Sequence, residues 1–433
     1  MDADYALVGG GLQNGLIALA LEALQPAARI VMIERGDAPG GNHTWCFHAG
    51  DLSAITRDIP VWIERLIVAR WDSYDVAFPA YSRTLASPYA CVSSDRFAHE
   101  VTRSLARDGC RLITRSSAIE VDAHRVVVRH ADGSIEEIRA RAVIDARGPE
   151  ATRTATTATV PGTATSIERT APATDRSNAA AAPSGWQKFL GRELRLDAPH
   201  GLARPMLMDA TVAQIDSTTP AHDGFRFLYV LPLDTHRVLV EDTYFSDGTH
   251  IDATELRTRI EAYVAQRGWR VAEVIREEVG LLPLPLRCDA PSPTVPLVAG
   301  YAGGWFHPVT GYSFPIAARL AALVASVPAE KLVGEELGAM AAAQANQMAF
   351  ALRLNRMLFG WFPPAQRFRV LERFYRLPEG LVRRFYALEL TALDKARILV
   401  GRPPRGMSIR AALGFGLSHD RHTAKFVTPQ EAP

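Results

Sequence analysis

Cysteine is scarce in this chain. Four occur in 433 residues, Cys46, Cys91, Cys110 and Cys288. None is spaced C-x-x-C, which argues against a zinc site and against a disulfide framework. A reduced, cytoplasmic setting is expected, with no metal. Net charge is also lacking: 48 Lys and Arg face 47 Asp and Glu, a formal balance of +1. No basic run interleaves with aromatics, so nucleic acid is not an expected partner. Long apolar runs are missing too. A membrane-spanning helix needs roughly 18 or more apolar residues, and the longest candidate, "PIAARLAALVASVPA", is interrupted by Arg319 and Pro328. The N-terminus opens with acids followed by a glycine-broken apolar run, which is not a signal-peptide pattern.

What is present is a large apolar fraction, 48%, and a length that predicts roughly two or three domains. The opening stretch "ALVGGGLQNGLIALALEAL" places three glycines between a buried-strand pattern and a buried-helix pattern. Gly9 and Gly11 fit the first two positions of G-x-G-x-x-G; Asn14 stands at the third and Gly15 follows one residue late. Gly9 permits the tight turn, and Gly11 lets a pyrophosphate approach the amides of a helix N-terminus, where the dipole favours anions. The next strand, "RIVMIER", ends in Glu34, about 20 residues on, where a dinucleotide-binding unit places its ribose-binding carboxylate.

Two later segments bear on which dinucleotide. "RAVIDARGP" is a strand ending in Asp145, Arg147 and Gly148, and "VPLVAGYAGGWFHPVTGYSFPIAARLAALVA" reads as strand, glycine loop and helix. This resembles FAD-dependent proteins of the glutathione-reductase type, in which a late strand returns beside the first and its loop and helix meet the flavin. One departure is visible: the strand ends in Gly300-Tyr301, where Gly-Asp is usual.

The remaining segments organise around these. "SSDRFAHEVTRSLARDGC" reads as a helix capped by Ser93 or Ser94, and "RVVVRHADGSIEEIRA" as a hairpin turning at Asp132-Gly133. "VWIERLIVARWDSYDVAFP" alternates like strands. Residues 151–184 are dominated by Ala and Thr, cannot build a core and are expected to be a disordered insertion. "FRFLYVLPLDTHRVLVEDTYF" and its neighbours predict a second, antiparallel sheet. From about 331 the pattern is helical and mixes aromatics with arginines, a composition suited to a core with a solvated rim or to a membrane interface. The expected fold is α/β: a Rossmann-type FAD-binding domain of the glutathione-reductase type from 1–50, 91–150 and 291–330; an inserted antiparallel β-sheet substrate domain from 51–90 and 185–290; the insertion 151–184; and a helical region 331–433 with membrane contact around 357–386, through Phe359, Trp361 and Phe362.

Candidate chemistry lies in "VLVEDTYFSD", where Glu241 and Asp242 follow an apolar strand. Adjacent strand residues point to opposite faces, so at most one of the two faces a given pocket. A carboxylic acid in apolar surroundings has a raised pKa and can hold a proton near neutrality.

Taken together, "LVGGGLQNGLIAL", "GGNHTWCFH", "VIDARGP", "FRFLYVLPL", "VLVEDTYFSD", "GWFHPVTGYSFPIA" and "RFYRLPEGLVRRFYA" resemble, in order along nearly the whole chain, the bacterial FAD-dependent lycopene β-cyclases. Cys46 stands where a serine is expected. The resemblance implies cyclisation of the ψ-ends of lycopene to β-rings, through γ-carotene to β-carotene, without net redox change. It also implies reduced FAD, with NAD(P)H as electron donor, and peripheral attachment to the cytoplasmic membrane, where the carotenoid substrates reside. The carried-over catalytic residues are Glu241 and, as the weaker choice, Asp242. The implied cofactor set is Gly9, Gly10, Gly11, Asn14, Glu34, Arg35, His43, Thr44, Trp45, Asp145, Gly148, Gly300, Gly304, Pro308, Gly311 and Tyr312, with His307 a further pocket candidate. The competing reading is an FAD-dependent hydroxylase or dehydrogenase of an apolar substrate, which would consume a reductant for every turnover.

Overall fold

The computed structural model describes residues 2–52, 55, 58–148, 184–214 and 224–400. The expected disordered insertion lies outside the described residues save for Ser184, as does the stretch from 401 onward.

The first strand, Ala3–Val8, pairs in parallel with Ile30–Ile33 on one side and with the end of Ile135–Asp145 on the other. Arg111–Ile113 extends the parallel set at one edge. Leu297–Val298 joins in parallel at Ile144 and Asp145, so the late strand lies one position away from the first rather than beside it. Its neighbour is the strand leading out of the expected hairpin, Arg125–Arg129 against Ile135–Arg139, whose turn holds Gly133 at φ +86°.

Alternation along the first strand explains the layering. Tyr5 and Leu7 point into the main core, with the helices Leu12–Leu24 and Phe314–Ser326; Ala6 and Val8 point to a second core under the hairpin strands. The helix Ser94–Leu105 starts at Ser93, whose Oγ accepts from the Arg96 N–H at 3.3 Å. This satisfies one of the N–H groups that a helix start leaves open.

A second seven-stranded sheet runs Val271–Pro285, Ser184–Leu196, Arg237–Ser246, Phe225–Pro232, Met206–Asp209, Tyr74–Phe78 and Tyr81–Leu85 in spatial order. It is antiparallel except between Met206–Asp209 and Tyr74–Phe78, which are parallel, as the long connection between them allows. Thr44–His48, Ile67–Trp71 and Tyr89–Ser93 form a separate three-stranded sheet between the other two, which the sequence pattern had merged with its neighbours. "VWIE", read as strand, is a short helix, Val61–Glu64, following Pro60; proline suits the start of a helix.

Helices Glu335–Trp361, Arg367–Tyr375, Glu379–Tyr386 and Ala392–Leu399 close the described chain. They correct the expected docking surface. Phe359 is buried, its ring lying where a side chain on Gly185 would be, with the guanidinium of Arg367 stacked 4.6 Å from the ring centre. Arg367 is itself fully buried and bonds Asp247 at 2.7 Å. Phe374, Tyr375 and Phe385 are buried as well. The aromatic-arginine pattern here is mostly core, and of the three proposed docking residues Trp361 is the exposed one, at 38%.

Candidate active site

Three glycines shape the first loop differently. Gly9 sits at φ +92°, and a Cβ there would meet the backbone of Ala146 and Arg147 at 3.2–3.3 Å. Gly10 donates its N–H to Glu34 Oε2 at 2.7 Å, while the Gly36 N–H donates to Oε1 at 2.6 Å, so the carboxylate is held against the loop. Gly11 starts the helix in extended geometry with no side-chain cap, and a Cβ on it would meet nothing within 4 Å. The helix start therefore presents N–H groups to an open space beside a carboxylate.

Asn14 lies beneath this loop, fully buried, its Nδ2 donating to the carbonyls of Val8 (3.0 Å), Gly9 (2.9 Å) and Ile144 (3.4 Å). It fastens the loop to the sheet from below. Arg35 is exposed beside Glu34. Asp145 ends its strand within bonding distance of the Arg147 guanidinium at 2.6 Å, and Gly148 is exposed.

At the far side, Gly300, Gly304 and Gly311 all take positive φ, from +63° to +75°. The Pro308 carbonyl accepts from Asn355 at 2.7 Å. Tyr312 donates to Asp51 at 2.8 Å and accepts the His48 N–H at 3.1 Å. Burial pushes the Asp51 carboxyl up to about 7. His307 has both ring nitrogens engaged, Nδ1 by the Val309 N–H and Nε2 by the Phe385 carbonyl, and burial drives its pKa down to about 4. It is a neutral structural imidazole.

Thr44–His48 leads from the glycine-rich half towards the second sheet. His43 and Trp45 are neighbours, their ring centroids 5.6 Å apart, and Trp45 lies 4.9 Å from Phe97. Burial, then the nearby Arg276, lowers the His43 pKa. His48, not singled out in the sequence, is buried among the rings of Tyr74, Tyr89, Tyr312 and Tyr386, and burial lowers its pKa to about 3.

Strand alternation separates the two acids. Asp242 faces the small core beneath the helix Ala253–Gln266 and is fully buried against Arg226, at 2.8 and 3.1 Å, and the Tyr244 hydroxyl, at 3.0 Å. Glu241 faces the main core, flanked along its strand by Leu239 and Phe245. It is 8% exposed, and among the described residues Oε1 accepts only the Thr243 hydroxyl, at 2.6 Å. Burial, then the charge of Glu278, raises its pKa to about 8.

Register places four residues on one rung across four strands: Tyr229, Glu241, Gly191 and Glu278. The Tyr229 hydroxyl meets that of Tyr89 at 2.9 Å, joining the rung to the tyrosines around His48. Glu278 is bound by Arg276 at 2.7 Å and by the Thr44 hydroxyl at 3.3 Å, and Arg276 also reaches Asn42 at 2.8 Å. The loop "GGNHTW" is thereby docked on the second sheet, directly at the rung of Glu241. Sequence reasoning missed Glu278: in "VIREEVG" its charge pattern is that of a solvated strand. Among the described residues, no group of three or more His, Cys, Asp and Glu side chains could hold a metal ion.

A family model described as lycopene cyclase protein matches residues 4–412. The chain belongs to the lycopene cyclase family. A lycopene beta-cyclase of Pantoea ananas is 40% identical over 93% of this chain and 95% of its own, and one of Pseudescherichia vulneris is 40% identical over 95% and 97%. The fold is shared with far more distant proteins. The flavin-dependent brominase Bmp2 superposes with a TM-score of 0.55 at 10% identity, covering 98% of this chain and 99% of its own. Halogenase PltM gives 0.56 at 13% identity over 99% and 93%. The architecture is thus a Rossmann-type flavoprotein fold. No described helix of this family member is long and apolar enough to cross a membrane.

Proposed function

We propose that the protein is a lycopene β-cyclase, converting the ψ-ends of lycopene to β-rings through γ-carotene, with Glu241 as its proton donor. The observation that carries the role of Glu241 is a buried carboxyl, raised to about 8, facing the main core with one neutral hydrogen-bond partner. A neutral acid of that kind holds its proton at physiological pH and meets an apolar substrate without a charge to desolvate. Protonation at C2 of a terminal alkene leaves a tertiary cation at C1. The C5=C6 bond closes on it, and loss of the C6 proton completes the ring, with no electrons gained or lost. The deprotonated Glu241 left after the first step is a negative charge beside a positive one, which stabilises the charged transition state. Tyr229, on the rung of Glu241, and Tyr89, bonded to it, bring aromatic rings to the same side of the sheet, where a cation would be favoured. Asp242, engaged by Arg226 on the opposite face, holds the strand in place.

The first loop fits FAD. The uncapped, open start of Leu12–Leu24 suits a pyrophosphate, and Glu34 suits a ribose. Gly300, Gly304, Gly311 and Tyr312 form the loop at the start of the other core helix, where this reading places the flavin. Reduced FAD, with NAD(P)H as electron donor, would supply an electron-rich ring system that stabilises the cationic substrate. Membrane contact in this reading is peripheral and uses exposed apolar side chains, Trp361 with Leu393, Leu399 and Val400, rather than Phe359.

Expression in lycopene-accumulating cells tests the proposal: chromatography of the pigments should show γ- and β-carotene. With purified, reduced protein, NADPH oxidised should fall well short of rings formed. Unchanged lycopene, or one NADPH consumed per ring, would contradict it.

A further inference from the structure

Gly191 lies between two carboxyl-bearing side chains. A Cβ placed on it would touch the Cγ of Glu278 at 3.3 Å and the Cγ of Glu241 at 3.5 Å. Both acids therefore lean over the same bare stretch of backbone, and a larger residue at 191 would fill the space that lets them approach. Their surroundings differ. Burial raises the pKa of Glu278 too, but it is opposed there by a guanidinium and a hydroxyl that donate to it and favour the carboxylate. Glu241 has one hydroxyl. Two carboxylates sharing a site do not both ionise readily, and the unequal partners decide which keeps the proton.

We infer that Glu278 is a positioning residue for the acid: clamped by Arg276 and Thr44 across Gly191, it carries the negative charge of the pair and keeps Glu241 in its protonated, donating form. This rests on the reading of Glu241 as proton donor. The other titratable and charged groups around Glu241 do not take over that task. Tyr229, on the adjacent strand, is a neutral phenol bonded to Tyr89. His43 and Cys46 come from the loop and strand above; burial, then Arg276, holds His43 towards its neutral form. Arg276 contacts Glu278 and, through Nε at 3.5 Å, Glu193. Asp242 is behind the sheet, paired with Arg226.

The test is the pH profile of turnover by the flavin-loaded enzyme on lycopene in liposomes, beside infrared titration of the protonated-carboxyl band that Glu241→Gln abolishes. Wild-type turnover should fall as pH rises past about 8. In Glu278→Gln, the like charge is gone, so the alkaline limb and the infrared midpoint should both move down by about one pH unit or more. Glu278→Asp, which keeps the charge, should restore both. Thr44→Val, losing only one donor to Glu278, should move them the same way by less, and serves if Glu278→Gln does not fold. An unmoved limb and midpoint in the Gln variant, with flavin retained and Glu241→Gln inactive, would overturn this inference alone. A fully active Glu241→Gln would overturn it together with the acid assignment.

Discussion

Replacing each of the adjacent acids by its amide should have opposite effects on stability, because one is a buried neutral acid and the other a buried ion. Asp242 is fully buried, and its carboxylate holds Arg226, itself 7% exposed, through two short bonds. Asp242→Asn leaves that guanidinium buried without a counter-charge, which costs about 3–5 kcal/mol. Glu241 reverses the sign. Its folded pKa of about 8 lies above its ordinary 4.5, so the folded state binds the proton more tightly than the unfolded chain does. Below about pH 4.5 both states are protonated and the group is neutral to stability. As pH rises towards 8, the unfolded chain ionises first, and the group progressively destabilises the fold. One pKa unit corresponds to about 1.4 kcal/mol, so the penalty by pH 8 is on the order of 5 kcal/mol as an upper bound. Glu241→Gln cannot ionise and escapes it. Urea midpoints at pH 5 and pH 8 are the assay. Glu241→Gln should lie within about 1 kcal/mol of the wild type at pH 5 and exceed it by a few kcal/mol at pH 8, while Asp242→Asn should be less stable at both. A stability difference between Glu241→Gln and the wild type that does not grow from pH 5 to pH 8 would show that the carboxyl ionises in the fold as it does in the unfolded chain, and would refute the reasoning.

Gly11→Val should fold normally, since a Cβ there meets no protein atom within 4 Å, yet lose FAD; the flavin absorbance of purified protein reports it, and full retention would mean that the pyrophosphate lies elsewhere. Gly15→Ala should lower stability by about 1–3 kcal/mol, because the added methyl would lie 2.0 Å from Phe97 Cζ; an unchanged urea midpoint would show that Phe97 moves freely aside. Arg367→Met should destabilise by about 1–3 kcal/mol, because the Phe245 and Phe359 carbonyls lose a buried donor while Asp247, which is exposed, is rehydrated; thermal melting reads the loss, and an unchanged melting temperature would show that Arg367 acts only as a surface charge.

The half built on the parallel sheet was legible in local patterns because its determinants are close in sequence. Glycines, helix and Glu34 fall within one unit, and Ser93 and Gly133 act on their own turns. The alternation that parts Glu241 from Asp242 is likewise a property of a single strand. What was not legible depends on register between distant strands. Glu278 meets Thr44 across 234 residues, and nothing local in "REEVG" tells a clamped, buried glutamate from a solvated one. Gly191 reads as a weak point in a strand until its neighbours on both sides prove to be acids. Aromatics mixed with arginines have the same composition on a membrane-facing rim as in a core where Arg367 stacks on Phe359, so burial there could be decided only in three dimensions.

The central claim is that Glu241 donates the proton that starts ring closure. Turnover of lycopene by Glu241→Gln, measured with reduced FAD bound and the flavin content verified, tests it most directly. The account predicts a loss of about 10²–10⁴-fold or more with flavin binding intact; turnover near that of the wild type would contradict it.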